Sequence, residues 1–430
     1  MTSSAAPFTQ VTLSNGLQVF LKEIHTAPLV SSWLWYRVGS RDETPGLTGI
    51  SHWTEHMQFK GTPRFPATVL DRAISREGGN WNAMTFLDWT SYFETMPANK
   101  IDLVLDLEAD RMVNSLFDEK EVASERTVVI SEREGNENEP IFRLGEAIQR
   151  AAFHVHPYQH EVIGERQDLQ GITRENLYAH YRRFYIPNNA VLSVAGDFKT
   201  NAMLARIREL FEPIPAGAAP LRFTQPEPPL DSEIQLSIEG PGETTYLQVA
   251  YRFPPASHPD FFPLGVMDSL LAGPSSLNMF GGGLSSKTSR LYRALVDKEV
   301  VVGVSGGAST TIDPFLYYFT LTVHPKRTRE EALAALDAEL DRLRSEPISE
   351  EEVHRAVKQV RALFSYGSES ITNQAFWMGY TEMFASHAWF LDFLKVLEQV
   401  TPEDVQRVAR QYLQQNNRVV ATYLPAGKSD

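Results

Sequence analysis

The chain contains no cysteine. Disulfides, thiol nucleophiles and thiolate-held metals are therefore excluded, and any metal site must be built from histidine and carboxylates. Positive charge is also scarce. The 40 Lys and Arg residues stand against 54 Asp and Glu, for a formal charge of −14. Nucleic-acid binders are ordinarily basic, so that class is disfavoured. An acidic surface keeps a chain soluble and at most favours cationic peptides. No apolar run reaches the roughly 18 residues of a membrane span. The stretch from Met1 to Thr9 lacks a basic segment followed by an apolar one, so no signal peptide is visible. A cytoplasmic location is the expectation, or a periplasmic one if a leader was removed before numbering began.

What the chain does have is length and apolar mass. Its 430 residues, 42% of them apolar, exceed one ordinary core and predict two domains. The break falls in 213–231, PIPAGAAPLRFTQPEPPLD, where prolines that fix φ and remove donors resist helix and sheet alike. This gives an N-terminal domain over 1–212, a linker over 213–231 and a C-terminal domain over 232–430.

The two halves look related. ITRENLYAHYRRFYIPNNAVL at 172–192 aligns without a gap on VTPEDVQRVARQYLQQNNRVV at 400–420, an offset of 228 (400 − 172). Each segment opens on a Thr suited to cap a helix, with acidic residues after it. Each then predicts an amphipathic helix, an Asn-Asn turn and a β-branched strand. Residues 10–22 read as two strands around an Asn-Gly turn, and 28–38 as a strand. Helices are predicted over 46–59, 98–116, 118–137, 330–345 and 349–364. Strands and helices in comparable amounts with hairpin signals point to an α+β fold, not a parallel doubly wound sheet.

The chemical signal is His52-Trp-Thr-Glu55-His56, an H-x-x-E-H motif. On a helix, His52 and His56 stand one turn apart on one face, close enough to share an ion. Glu55 can reach a metal-activated water without being a ligand. A catalytic zinc ordinarily takes a third protein ligand. The acidic helix over 118–137 offers Glu121, Glu125, Glu132, Glu134 and Glu137, and spacing does not choose among them. Glu125 and Glu132, seven apart, share a face that can present one ligand and one supporting carboxylate.

Several segments together resemble the pitrilysin-like zinc peptidases, the group that includes insulinase and the mitochondrial processing peptidase. They are GSRDETPGLTGISHWTEHMQFKGTPRFP at 39–66, GGNWNAMTFLDWTSYFETMP at 78–97, SERTVVISERE at 124–134, HPYQHEVIGERQDL at 156–169 and FYIPNNAVLSVAGDF at 184–198. VTPEDVQRVARQYL at 400–413 matches as well, so the resemblance covers nearly the whole chain. It implies one Zn2+ per chain on His52, His56 and Glu132, the last being 76 residues (132 − 56) beyond the second His. It implies catalytic roles for Glu55, the water-activating base, and for Glu125, which supports the site. It also implies that Asn82 and Ala83 bind substrate on a strand edge over 81–86. Two homologous domains, each a mainly antiparallel sheet packed against helices, would form half of a clamshell that encloses unfolded peptides.

One departure bears on activity. Family members usually carry an Arg and a Tyr in the C-terminal domain, where they help polarise the substrate carbonyl. SRLYRALVDKEVVVGVS at 289–305 places Val296 and Gly303 there, and Arg290 and Tyr292 fill other positions. The stretch matching the metal motif, SLLAG near 269–273, offers no ligand. The chain therefore resembles the zinc-binding subunit of a bacterial heterodimeric peptidase, with a homologous subunit supplying the Arg/Tyr pair. Loss of one oxyanion donor typically costs ~2.7–4 kcal/mol in the barrier. The rival readings are a non-catalytic core or assembly subunit of the same fold and a peptide-binding module.

Other signals are weaker. GGGLSSKT over 281–288 lacks the second glycine of a phosphate-binding loop. His154, His156 and His160 read as structural, and the aromatic stretch from Phe376 to Trp389 as core or interface.

Overall fold

A computed structural model of the chain describes residues 8–277 and 287–426. The glycine-rich segment from Gly281 to Ser286 lies outside the described residues. No helix among those described is long and apolar enough to cross a membrane.

Eleven strands form two sheets among the described residues. The first holds β1 (Thr9–Thr12), β2 (Gln18–Glu23), β3 (Leu29–Tyr36), β4 (Asn80–Thr85), β5 (Thr90–Pro97) and β6 (Ala190–Gly196) in the order β1-β2-β6-β3-β5-β4. The second holds β7 (Ile234–Gly240), β8 (Tyr246–Phe253), β9 (Val301–Ala308), β10 (Phe315–Val323) and β11 (Arg418–Pro425) in the order β7-β11-β8-β10-β9. All pairs are antiparallel except β2–β6 and β7–β11. This is the mixed α+β architecture that the sequence predicts. The Asn-Gly turn joins β1 to β2 with Gly16 at φ 90, and an added Cβ there would meet Asn188 Cβ at 2.7 Å.

The helices of the first half are α1 (Ile50–Met57), α2 (Ala67–Arg76), α3 (Ile101–Asn114), α4 (Glu119–Asn136), α5 (Pro140–Ala152), α6 (Arg166–Gly171), α7 (Arg174–Phe184) and α8 (Thr200–Phe211). Those of the second are α9 (Phe261–Leu271), α10 (Arg329–Ser345), α11 (Glu350–Tyr366), α12 (Ile371–Phe384), α13 (His387–Leu397) and α14 (Pro402–Tyr412). The helix expected over 46–59 begins only at Ile50, because Gly49 before it is left-handed at φ 86. The two related segments fold alike. Thr173 accepts the Asn176 amide and Thr401 the Asp404 amide, each closing a capping box, and both helices lead through an Asn-Asn turn into a strand.

The chain forms two compact units that interleave in sequence. One gathers residues up to Glu134, His160–Thr224 and Glu369–His387; the other gathers Gly135–Gln159, Gln225–Ser368 and the chain from Ala388 onward. The Pro-rich stretch separates the two sheets, but two helices cross that division. Helix α5 packs on β7, β8 and β11, and α12 packs on β2, β3 and β6. Adding the 228-residue offset to α5 gives 368–380, which falls on α12, so the exchanged helices are equivalents in the repeat. The sheets repeat too, since β2-β6-β3-β5-β4 and β7-β11-β8-β10-β9 share connectivity and the placement of their one parallel pair.

Helix α12 sits unusually close to its sheet. Phe376 meets Trp33 edge-on at 5.2 Å and Trp35 at 5.5 Å. A Cβ on Gly379 would fall 2.2 Å from Trp35 Nε1 and 2.7 Å from Ser193 Oγ, so only glycine fits. The aromatic run beginning at Phe376 is thus core.

Candidate metal centre

Helix α1 has only eight residues, too short to hold its own direction in water. It packs on α7, β4 and β5. One face buries Ile50, Trp53 and Met57, which leaves His52 and His56 together on another. Their rings cross edge-on at 4.6 Å, with the two Nε2 atoms 3.3 Å apart.

Helix α4 brings the third donor. Arg126 donates to the carbonyls of Gln170 (2.5 Å) and Ile172 (2.7 Å), and Arg133 donates to that of Gly164 (3.1 Å). These bonds turn the Glu125–Glu132 face towards α1. Glu132 Oε2 lies 3.6 Å from His56 Nε2 and 3.9 Å from His52 Nε2. Among the described residues, His52, His56 and Glu132 are the only group of potential ligands whose donor atoms all fall within 4.8 Å of one another. Glu121, Glu134 and Glu137 do not join them.

The surroundings fit a divalent cation. Glu125, 5% exposed, accepts from His56 Nδ1 at 3.0 Å and so leaves Nε2 facing the other donors. Its second oxygen pairs with Lys60. The Glu125 and Glu132 carboxylates facing the two imidazoles make an acidic setting that suits a divalent ion. Burial works against a charged His56, yet the Glu125 hydrogen bond and the Glu55 and Glu132 carboxylates raise its pKa. Burial pushes His52 down to about 3, aided by His56, so its ring is a neutral donor. Two imidazoles and a carboxylate are the donor set of a catalytic zinc.

Glu55 stands beside this cluster and 8% exposed. Burial pushes its carboxyl up to about 7, and a hydrogen bond from Thr85 partly opposes the rise. Thr85 Oγ1 donates to Glu55 Oε2 at 2.6 Å, which occupies one oxygen and leaves the other for a proton. Sequence reasoning missed Thr85 and Lys60. We expect Thr85→Val to lower kcat about tenfold while zinc content holds, checked by steady-state peptide hydrolysis alongside metal analysis.

Strand β4 ends the first sheet, so one of its edges carries no partner among the described strands. Trp81, Ala83 and Thr85 alternate onto the face that reaches Glu55, and Asn82 and Met84 fall on the other. The exposed Asn82 carboxamide accepts from the Ala83 amide at 2.9 Å and is not gathered with the metal donors.

Among the described residues, the second unit has no such centre. Helix α9 follows β8 as α1 follows β3, yet its sequence FFPLGVMDSLL contains neither His nor Glu. Arg290 grips both oxygens of Glu352 at 3.1 and 3.0 Å. His156 Nε2 meets Asp313 at 3.1 Å and His160 Nδ1 meets the Glu161 carbonyl at 3.1 Å; neither belongs to a metal-ligand group among the described residues.

Residues 18–166 match the family described as insulinase (peptidase family M16), and residues 171–360 match the peptidase M16 inactive domain. The chain belongs to the insulinase family of peptidases. Among its insulinase-family relatives, an uncharacterised zinc protease of Mycobacterium tuberculosis is 28% identical over 94% of this chain and 90% of its own length. The zinc protease PqqE of Helicobacter pylori is 28% identical over 85% of this chain and 81% of its own. The solved structure of a Helicobacter pylori protease superposes with a TM-score of 0.90 at 26% identity, covering 98% of this chain and 100% of that one. The inactive-domain match agrees with a second half that lacks ligands in α9.

Proposed function

We propose that this chain is the zinc-bearing subunit of a metalloendopeptidase that hydrolyses unfolded peptides in an enclosed chamber. The observation that carries the reading is the meeting of His52, His56 and Glu132 with Glu55 held alongside by Thr85. Relatives named zinc proteases support zinc as the ion. Zinc in such a site supplies Lewis acidity and brings the pKa of a water to about 7.

The protein's own part is positional and protonic. The free edge of β4 accepts an extended peptide as an added strand, which satisfies the substrate backbone and reads side chains loosely. Glu55 takes the proton of the attacking water and returns it to the departing amide nitrogen. Glu125 holds the His56 tautomer throughout.

Nothing at Val296 or Gly303 can polarise the substrate carbonyl, and Arg290 is committed to Glu352. A homologous subunit supplying an Arg/Tyr pair answers that need. The same deficit favours the second reading, a non-catalytic assembly subunit, but such a subunit has no use for Glu55. The purified chain should hold about one zinc, lost on His52→Ala. It should cleave unfolded peptides only when mixed with a homologue that carries the Arg/Tyr pair. Full cleavage by the lone chain removes the partner, and absence of zinc removes the peptidase.

A further inference from the structure

The ligand helix α1 cannot cap itself. Its N-cap, Gly49, has no side chain and is left-handed at φ 86. A Cβ there would fall 2.4 Å from the Ile163 carbonyl oxygen, so no capping residue can replace it. The first turn nevertheless ends in a buried place, where unmet amides are costly. A residue six positions earlier meets them. Glu43 Oε2 accepts the Gly49 amide and Oε1 the Ser51 amide, both at 2.8 Å. The Glu43 side chain is fully buried, 0% exposed.

Other contacts close the same end. Ser51 Oγ donates to the Gly39 carbonyl at 3.0 Å. Thr48 donates to Asp168 through its amide at 3.0 Å and its hydroxyl at 2.7 Å. Glu43 alone grips the helix's own amides; burial pushes its carboxyl up to about 8, and the hydrogen bonds from Ser51 and Gly49 oppose the rise. Ser51, which it holds, immediately precedes His52. Packing on α7, β4 and β5 seats the helix body, and the grip on Gly49 and Ser51 fixes the end that carries His52.

We propose that Glu43 is a positioning residue of the metal centre, which fixes the ligand helix so that His52 and His56 meet Glu132. This rests on the zinc reading above. The test uses the full chain, wild type and Glu43→Gln. Zinc Kd is measured by competition with a chelator, the cobalt-loaded protein by visible absorption, and the metal-free protein by thermal unfolding.

Glutamine keeps one acceptor and turns an NH2 against the other amide. Zinc Kd should weaken about 10- to 100-fold, the usual range for a residue that supports a ligand. The cobalt bands should shift, beyond any change in metal-free stability. Glu43→Asp keeps the carboxyl group but reaches one amide only, should bind with intermediate affinity, and serves if the glutamine variant does not fold. Zinc affinity within twofold of wild type and an unchanged cobalt spectrum in the folded variant overturn the proposal. A wild-type chain that binds no zinc instead overturns the metal centre itself.

Discussion

Glu55→Gln should leave zinc bound and lower peptide hydrolysis about a hundred- to ten-thousand-fold. That corresponds to roughly 2.7–5.5 kcal/mol of lost transition-state stabilisation. The separation of the two effects follows from geometry. Glu55 is not among the three converging donors, and its nearest polar partner is Thr85 at 2.6 Å. The glutamine amide is nearly the same size and can still accept from Thr85, so the pocket keeps its shape. What is lost is the ability to take a proton. His52→Ala removes a ligand, so metal and activity should disappear together. Zinc content by metal analysis and turnover of an unstructured peptide, assayed with the partner present, check both variants. Turnover in Glu55→Gln near the wild-type rate would show that another group serves as base.

The second large effect concerns the exchanged helices. A chain ending at Leu230 keeps the whole first sheet but loses α12. That helix buries Phe376, Trp377, Met378, Tyr380, Met383 and Phe384, and it covers Trp33 and Trp35. At about 1.5–3 kcal/mol for each large apolar side chain, the loss is on the order of 10 kcal/mol. This rivals the whole net stability of a typical domain, about 5–15 kcal/mol. The fragment should aggregate or show no cooperative thermal transition. Expressed together with residues 231–430, it should give a soluble one-to-one complex, checked by size-exclusion chromatography and calorimetry. A lone fragment that melts cooperatively would show that α12 is dispensable.

How much of this the sequence reveals depends on the range of each signal. The His52–His56 spacing and the Thr173 and Thr401 caps are local, and they appear in the fold as read. The third potential ligand is not local. Helix α4 offers several carboxylates, and the choice of Glu132 is made by Arg126 and Arg133 binding carbonyls far along the chain. Only the family resemblance supplies it at the level of sequence. Thr85 and Glu43 escape notice for a similar reason. A threonine ending a strand and a glutamate in a loop carry no pattern of their own, and their importance lies in the atoms that reach them. The crossing of α5 and α12 is hidden more deeply, since an apolar helix declares that it will be covered but not by which sheet.

That crossing also suggests how the molecule arose. Two identical half-length chains that each lent the same helix to the other would form a twofold dimer locked by mutual loan. Joining the end of one copy to the start of the next would yield the interleaved pattern seen in α5 and α12. After such a fusion neither half can be cut away without baring the sheet of the other, because each sheet is covered by a helix carried in the opposite half.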